Sequence, residues 1–113
     1  MISILFILSS FIVGNYKENI ITEEIHDLIE NITLHMETID DNEWKPLLTN
    51  PLEWRTKVVN GNFHAIRFGT ESLMSFCILV FENLNQEIEL LKYNSCINLS
   101  NFINDDINHT LIK

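Results

Sequence analysis

From Leu52 onward the chain never has enough residues between one extended stretch and the next to lay them parallel. Trp54, Val58, Val59, Phe63, Ile66 and Phe68 are β-branched, aromatic or aliphatic, and no helical stripe links them. Asn60-Gly61 between them marks a tight turn, so this part reads as strand, turn, strand. Gly69-Thr70-Glu71-Ser72 marks a second turn. Leu73 to Leu84 is a long third strand with Met74, Phe76, Ile78 and Val80 on one face. Asn83-Leu84-Asn85-Gln86 is turn-like, and Glu87 to Tyr93 is a fourth strand. Parallel neighbours need a crossover of a dozen or so residues, so these strands must be antiparallel.

Such a sheet needs something to cover its apolar face. The preceding segment supplies one helix. Thr22 is a good N-cap, and Glu23 and Glu24 stand in the first turn, where the helix dipole favours anions. Ile25, Leu28, Ile29, Ile32, Met36 and Ile39 follow at helical spacing, with His26, Asp27, Glu30 and Asn31 on the other side. Thr38 to Asn42 is polar and ends the helix. Asn15 to Ile21 reads as an irregular leader, and Pro46 and Pro51 bracket a loop. The tail from Cys96 alternates apolar residues with Asn and Asp and gives no clear pattern. The fold class is α+β, two layers, a meander sheet on one helix.

At 113 residues, 46% hydrophobic and 20% charged, the chain is globular and has room for one domain. A formal charge of −9 repels phosphate backbones and argues against a nucleic-acid partner. No basic amphipathic helix suggests a membrane partner. Ile2 to Val13 is apolar except for Ser3, Ser9 and Ser10, and Gly14 closes the run. It is too short to span a bilayer at roughly 20 residues, but fits the core of a signal peptide. Residues 1–14 are then an export signal and 15–113 the secreted domain. The other reading is a hydrophobic first strand. Asn31-Ile32-Thr33, Asn98-Leu99-Ser100 and Asn108-His109-Thr110 are glycosylation acceptor triplets that agree with export. Cys77 and Cys96 form either one disulfide or a pair of buried thiols.

Catalytic chemistry finds little to work with. Cys77 and His64 could pair as thiol and base, but Cys77 falls in an apolar strand and has a candidate disulfide partner. His26, His35, His64 and His109 are scattered and read as surface residues, and no CxxC or HExxH spacing exists. Asp40, Asp41 and Glu43 lack the spacing of a calcium loop. We expect no enzyme, no metal and no cofactor.

Lys57-Val58-Val59-Asn60-Gly61 is similar to the Gln-x-Val-x-Gly motif of the cystatins. Asn62-Phe63-His64-Ala65-Ile66-Arg67-Phe68 resembles the strand after that motif, and Phe76 to Leu84 the family's next strand leading to its second hairpin. Cys77 and Cys96 have 18 residues between them, close to the C-terminal disulfide of secreted cystatins. The helix at Thr22 to Ile39 sits where the family has its single long one. The resemblance covers residues 14–96. Lys57 replaces the motif's Gln, Asn85-Gln86 stands in place of Pro-Trp or Pro-Gly, and the cysteines of a second disulfide are absent.

The resemblance implies a cystatin-like fold, one long helix on a curved antiparallel sheet of four to five strands. It implies a secreted, monomeric, reversible, non-covalent inhibitor of papain-like, cathepsin-like cysteine proteases. An N-terminal trunk and two hairpins would wedge into the active-site cleft. The protease-binding residues would be Gly14 in the trunk, Lys57, Val58, Val59, Asn60 and Gly61 in the first hairpin, and Leu84, Asn85 and Gln86 in the second. Gly61 has no Cβ and would allow close approach to the cleft; its other reading is a plain hairpin turn. Without an aromatic anchor at the second hairpin, inhibition should be weaker by about 2 kcal/mol, roughly thirtyfold. Asn42 lies in the region where some relatives contact legumain, but the local match is poor and its neighbours read first as a solvated loop ending the helix. The rival for the whole chain is a secreted cystatin-fold binding module that does not inhibit.

Overall fold

The computed structural model describes residues 15–36 and 45–104. The proposed signal segment with Gly14, the helix end with Ile39, Asn42 and Asn108 lie outside them. The elements are β1 (Lys17–Asn19), α1 (Glu24–Met36), a 3-10 turn (Lys45–Leu47), β2 (Pro51–Val58), β3 (Asn62–Phe68), β4 (Ser75–Glu82), β5 (Ile88–Cys96) and α2 (Leu99–Asn104). The strands form one antiparallel sheet in chain order, β1-β2-β3-β4-β5. This is an α+β fold with one helix of thirteen residues.

The helix starts two residues later than its sequence signals suggest. The Thr22 and Glu23 carbonyls accept the N–H groups of Ile25 and His26, at 3.2 and 3.0 Å. Its stripe is buried as expected: Ile25, Leu28, Ile29 and Ile32 pack with Trp54, Ile66, Phe68, Phe76, Ile78 and Val80 on one face of the sheet.

The leader is not irregular. Lys17, Glu18 and Asn19 pair with Thr56, Arg55 and Trp54 and make an edge strand. All three side chains are polar, so no apolar alternation announces it; main-chain pairing and Asn19 Nδ2 donating to Thr56 Oγ1 (2.9 Å) hold it. Pro51 opens β2, where a strand tolerates the lost donor.

The two-layer expectation also needs correction. The other face of the sheet is covered by α2, where Leu99, Phe102 and Ile103 bury themselves against Phe63, Ala65, Cys77 and Leu79. β3 and β4 are therefore buried on both faces. Asn98 caps α2, its Oδ1 accepting the Asn101 N–H at 2.8 Å. Arg55 Nη1 donates to Ser100 Oγ (2.7 Å), and Lys92 Nζ bonds the Phe102 carbonyl. Cys77 and Cys96 are joined by a disulfide, diagonally across β4 and β5, directly before α2.

β4 begins later than expected because the hydroxyls of Thr70 and Ser72 both donate to the Met74 carbonyl and bend the chain there. Met74 leaves the apolar face and Leu73 is fully exposed. β5 runs three residues beyond Tyr93, with a bulge opposite Leu79 and Val80. Among the acceptor triplets, Asn31 is exposed on α1, whereas Asn98 is half-buried in its cap. Among the described residues no helix is long and apolar enough to cross a membrane.

Candidate functional site

Val58, Asn62, Glu82 and Ile88 stand opposite one another across β2, β3, β4 and β5. They form the last rung of the sheet, and two turns spring from it. β1 runs antiparallel to β2, with Lys17 opposite Thr56, so the chain enters β1 from this same end. The sheet thus brings the two hairpin turns that the sequence singled out to one end, beside the start of β1.

The first turn is Val59-Asn60-Gly61, a three-residue hairpin loop. Asn60 and Gly61 both have positive φ, 45° and 131°, which the short loop requires. Gly61 is buried. A Cβ there would lie 2.6 Å from Phe81 Cζ and 2.7 Å from the Glu82 carbonyl oxygen. The missing side chain therefore makes room for the chain's own Phe81, which packs on Phe63 at 4.9 Å between ring centroids. The outward points of this hairpin are Val58, 78% exposed, and Asn60. Val59 leans on the α2-side core, and Lys57 is half-buried opposite Phe63.

The second turn is organised by Asn83, to which the sequence reading gave no role of its own. Its Oδ1 accepts the N–H groups of Asn85 (2.8 Å) and Glu87 (3.0 Å), and its carbonyl accepts that of Gln86 (2.9 Å). Gln86 has a positive φ of 64°. Leu84, Asn85 and Gln86 are exposed, Leu84 at 74%. Val58 and Leu84 are thus two unburied apolar side chains at one end of the sheet, each on a hydrogen-bonded turn.

His64 was expected at the surface and is instead buried beneath these turns, on the α1 face. Trp54 Nε1–H donates to its Nδ1 at 3.1 Å, and its Nε2 lies 3.0 Å from Glu82 Oε1. Indole nitrogen only donates, so Nδ1 must be bare and Nε2 must carry the proton. Burial pushes the imidazole below its ordinary 6.5, and the Glu82 carboxylate, hydrogen-bonded to it, pulls the other way with less effect. Cys77 is oxidised and belongs to the opposite face of the sheet, so it does not meet His64.

Comparison with protein-family models, with curated proteins and with solved structures finds no match for this chain.

Proposed function

We propose that this chain is a secreted cystatin-like protein that inhibits papain-like cysteine proteases reversibly, by wedging the β2–β3 and β4–β5 turns into the active-site cleft. The observation that carries this reading is the convergence of the start of β1 and both turns at one end of the sheet. The order of elements, with one helix between the first and second strands, is compatible with it. Gly61 takes an internal role in this version: it lets Phe81 close beneath the turn and stiffen it. The contacts fall to Val58, Asn60, Leu84 and Asn85, which are exposed. Pre-formed turns lower the ordering cost of binding.

The test is titration of papain with the folded, disulfide-bonded chain. Inhibition is expected, and the paired Val58→Asp and Leu84→Asp substitutions should weaken it by at least about tenfold, because each places a charge in the interface core. Inhibition unchanged by both would remove the turns from the mechanism.

One observation favours the rival, a non-inhibitory binding module of the same fold. With Gly61 turned inward, the first hairpin's backbone is not bare at its tip. Folded protein that leaves papain untouched at micromolar concentration selects the module. Mass spectrometry of the protein exported by expressing cells gives its mature N-terminus and any sugar on Asn31, Asn98 or Asn108, and tests the secreted assignment.

A further inference from the structure

Trp54, His64 and Glu82 form a chain of hydrogen bonds from β2 through β3 to the last rung on β4. The ring is 6% exposed and Trp54 9%. With Nε2–H and a bare Nδ1, all three partners are satisfied together. A second proton could go only on Nδ1, where it would face the indole N–H, a donor against a donor. A charged ring must therefore leave Trp54, and the carboxylate it holds goes with it.

Glu82 is the residue through which such a movement reaches the turns. Its backbone pairs with Asn62 and Ile88, its carbonyl backs Gly61, and the next residue, Asn83, ties the second turn. The other groups around the ring do not substitute for it. β2 offers Trp54 and Thr56, and β4 offers Val80 directly opposite. Lys17 of β1 lies one strand further, opposite Thr56, and Ile88 of β5 is apolar. On α1, Glu24, His26, Asp27 and Glu30 are exposed and His35 is half-buried in the last turn.

We propose that His64 is the positioning residue of the paired turns: its neutral form fixes Glu82 at their common base, and acid disengages them and weakens the protease contact. The loosening rests on the geometry alone; its effect on a protease rests on the function proposed above. A target held at neutral pH would be released as the surroundings acidify.

The test is an NMR pH titration of the intact oxidised chain from about pH 8 to about pH 4.5, spanning the imidazole range. The His64 ring, the Trp54 indole N–H and the amides of Asn60, Gly61, Asn83, Asn85 and Gln86 are followed together. One shared midpoint below 6.5 is expected, with the indole proton exchanging about tenfold faster on the acid side. Trp54→Phe removes the opposing donor and should raise the ring's midpoint; Glu82→Gln removes the carboxylate's pull and should lower it. His64→Gln should leave the turn amides flat across the range. A ring that titrates while the turn amides stay still overturns the proposal, and so does a ring that stays neutral to the acid limit.

Papain inhibition, corrected for the enzyme's own pH profile, is measured in parallel. It should weaken about fivefold from about pH 7 to the acid side of the midpoint that the ring shows by NMR in the natural chain, and by less than about twofold over the same range in His64→Gln. Turn amides that follow the ring in a protein that never inhibits would sustain the positioning role and reject the inhibitor.

Discussion

Two residues show how far a side chain's job can lie from its motif. Gly61 belongs to a sequence pattern suggesting contact with a partner, yet the space beside its Cα is filled by Phe81 and the Glu82 carbonyl. Gly61→Ala should destabilise the fold by about 2–3 kcal/mol, from overpacking plus a left-handed backbone imposed on an L side chain. Urea denaturation measures it. Tyr16 is the converse case. Its hydroxyl is buried with no hydrogen-bond partner among the described residues, on the α2 side of the sheet, and burial holds the phenol well above its ordinary pKa. Tyr16→Phe deletes that unsatisfied oxygen and leaves the ring packing, so it should stabilise by about 1 kcal/mol in the same assay.

At the scale of elements, α2 depends on what lies just before it. Six residues cannot hold a helix in water, so packing and the Asn98 cap must do so. The disulfide ends at Cys96 and closes a loop spanning 19 positions. Replacing both cysteines with Ala should cost about 3 kcal/mol in the chain-entropy picture. The amides of Leu99 to Asn104 should then lose protection from hydrogen exchange before those of β3 and β4 do. The elements readable in the sequence were those with side-chain contrast. β2 to β5 carry aromatic and β-branched runs broken by Gly and Asn, and α1 carries a 3.6-residue stripe. β1 and α2 were not readable for opposite reasons. Lys17, Glu18 and Asn19 show nothing to a hydrophobicity pattern, because an edge strand is recruited through its backbone. Leu99, Phe102 and Ile103 have helical spacing, but over too short a span to tell from an alternating tail. The same limit applies to the site. The turns were legible from Asn60-Gly61 and Asn83 to Gln86, whereas burial of His64 needed Trp54 and Glu82, from two other strands, to be in place.

For the molecule as a whole, His64 sets one direction of pH dependence. Its folded pKa lies below 6.5, so the unfolded chain binds the extra proton first as pH falls. The stability it supports is fully present above 6.5 and declines as pH drops from there through the folded value. Thermal unfolding of the natural chain and of His64→Gln, compared over this window, should show a midpoint that drops more steeply in the natural chain. The difference between them removes the chain's general loss of negative charge from the comparison. The two covers of the sheet carry a separate consequence. α1 is built in between β1 and β2, whereas α2 joins the end of β5 through Ile97 and Asn98 and is held to the sheet by its packing and by the Arg55 and Lys92 hydrogen bonds. Ile97 is 73% exposed. A proteolytic nick there would leave the cover held only by that packing and those two hydrogen bonds, and its release would bare Phe63, Leu79 and Leu91, turning a dry interior plane into an adhesive one that invites clumping with other clipped copies.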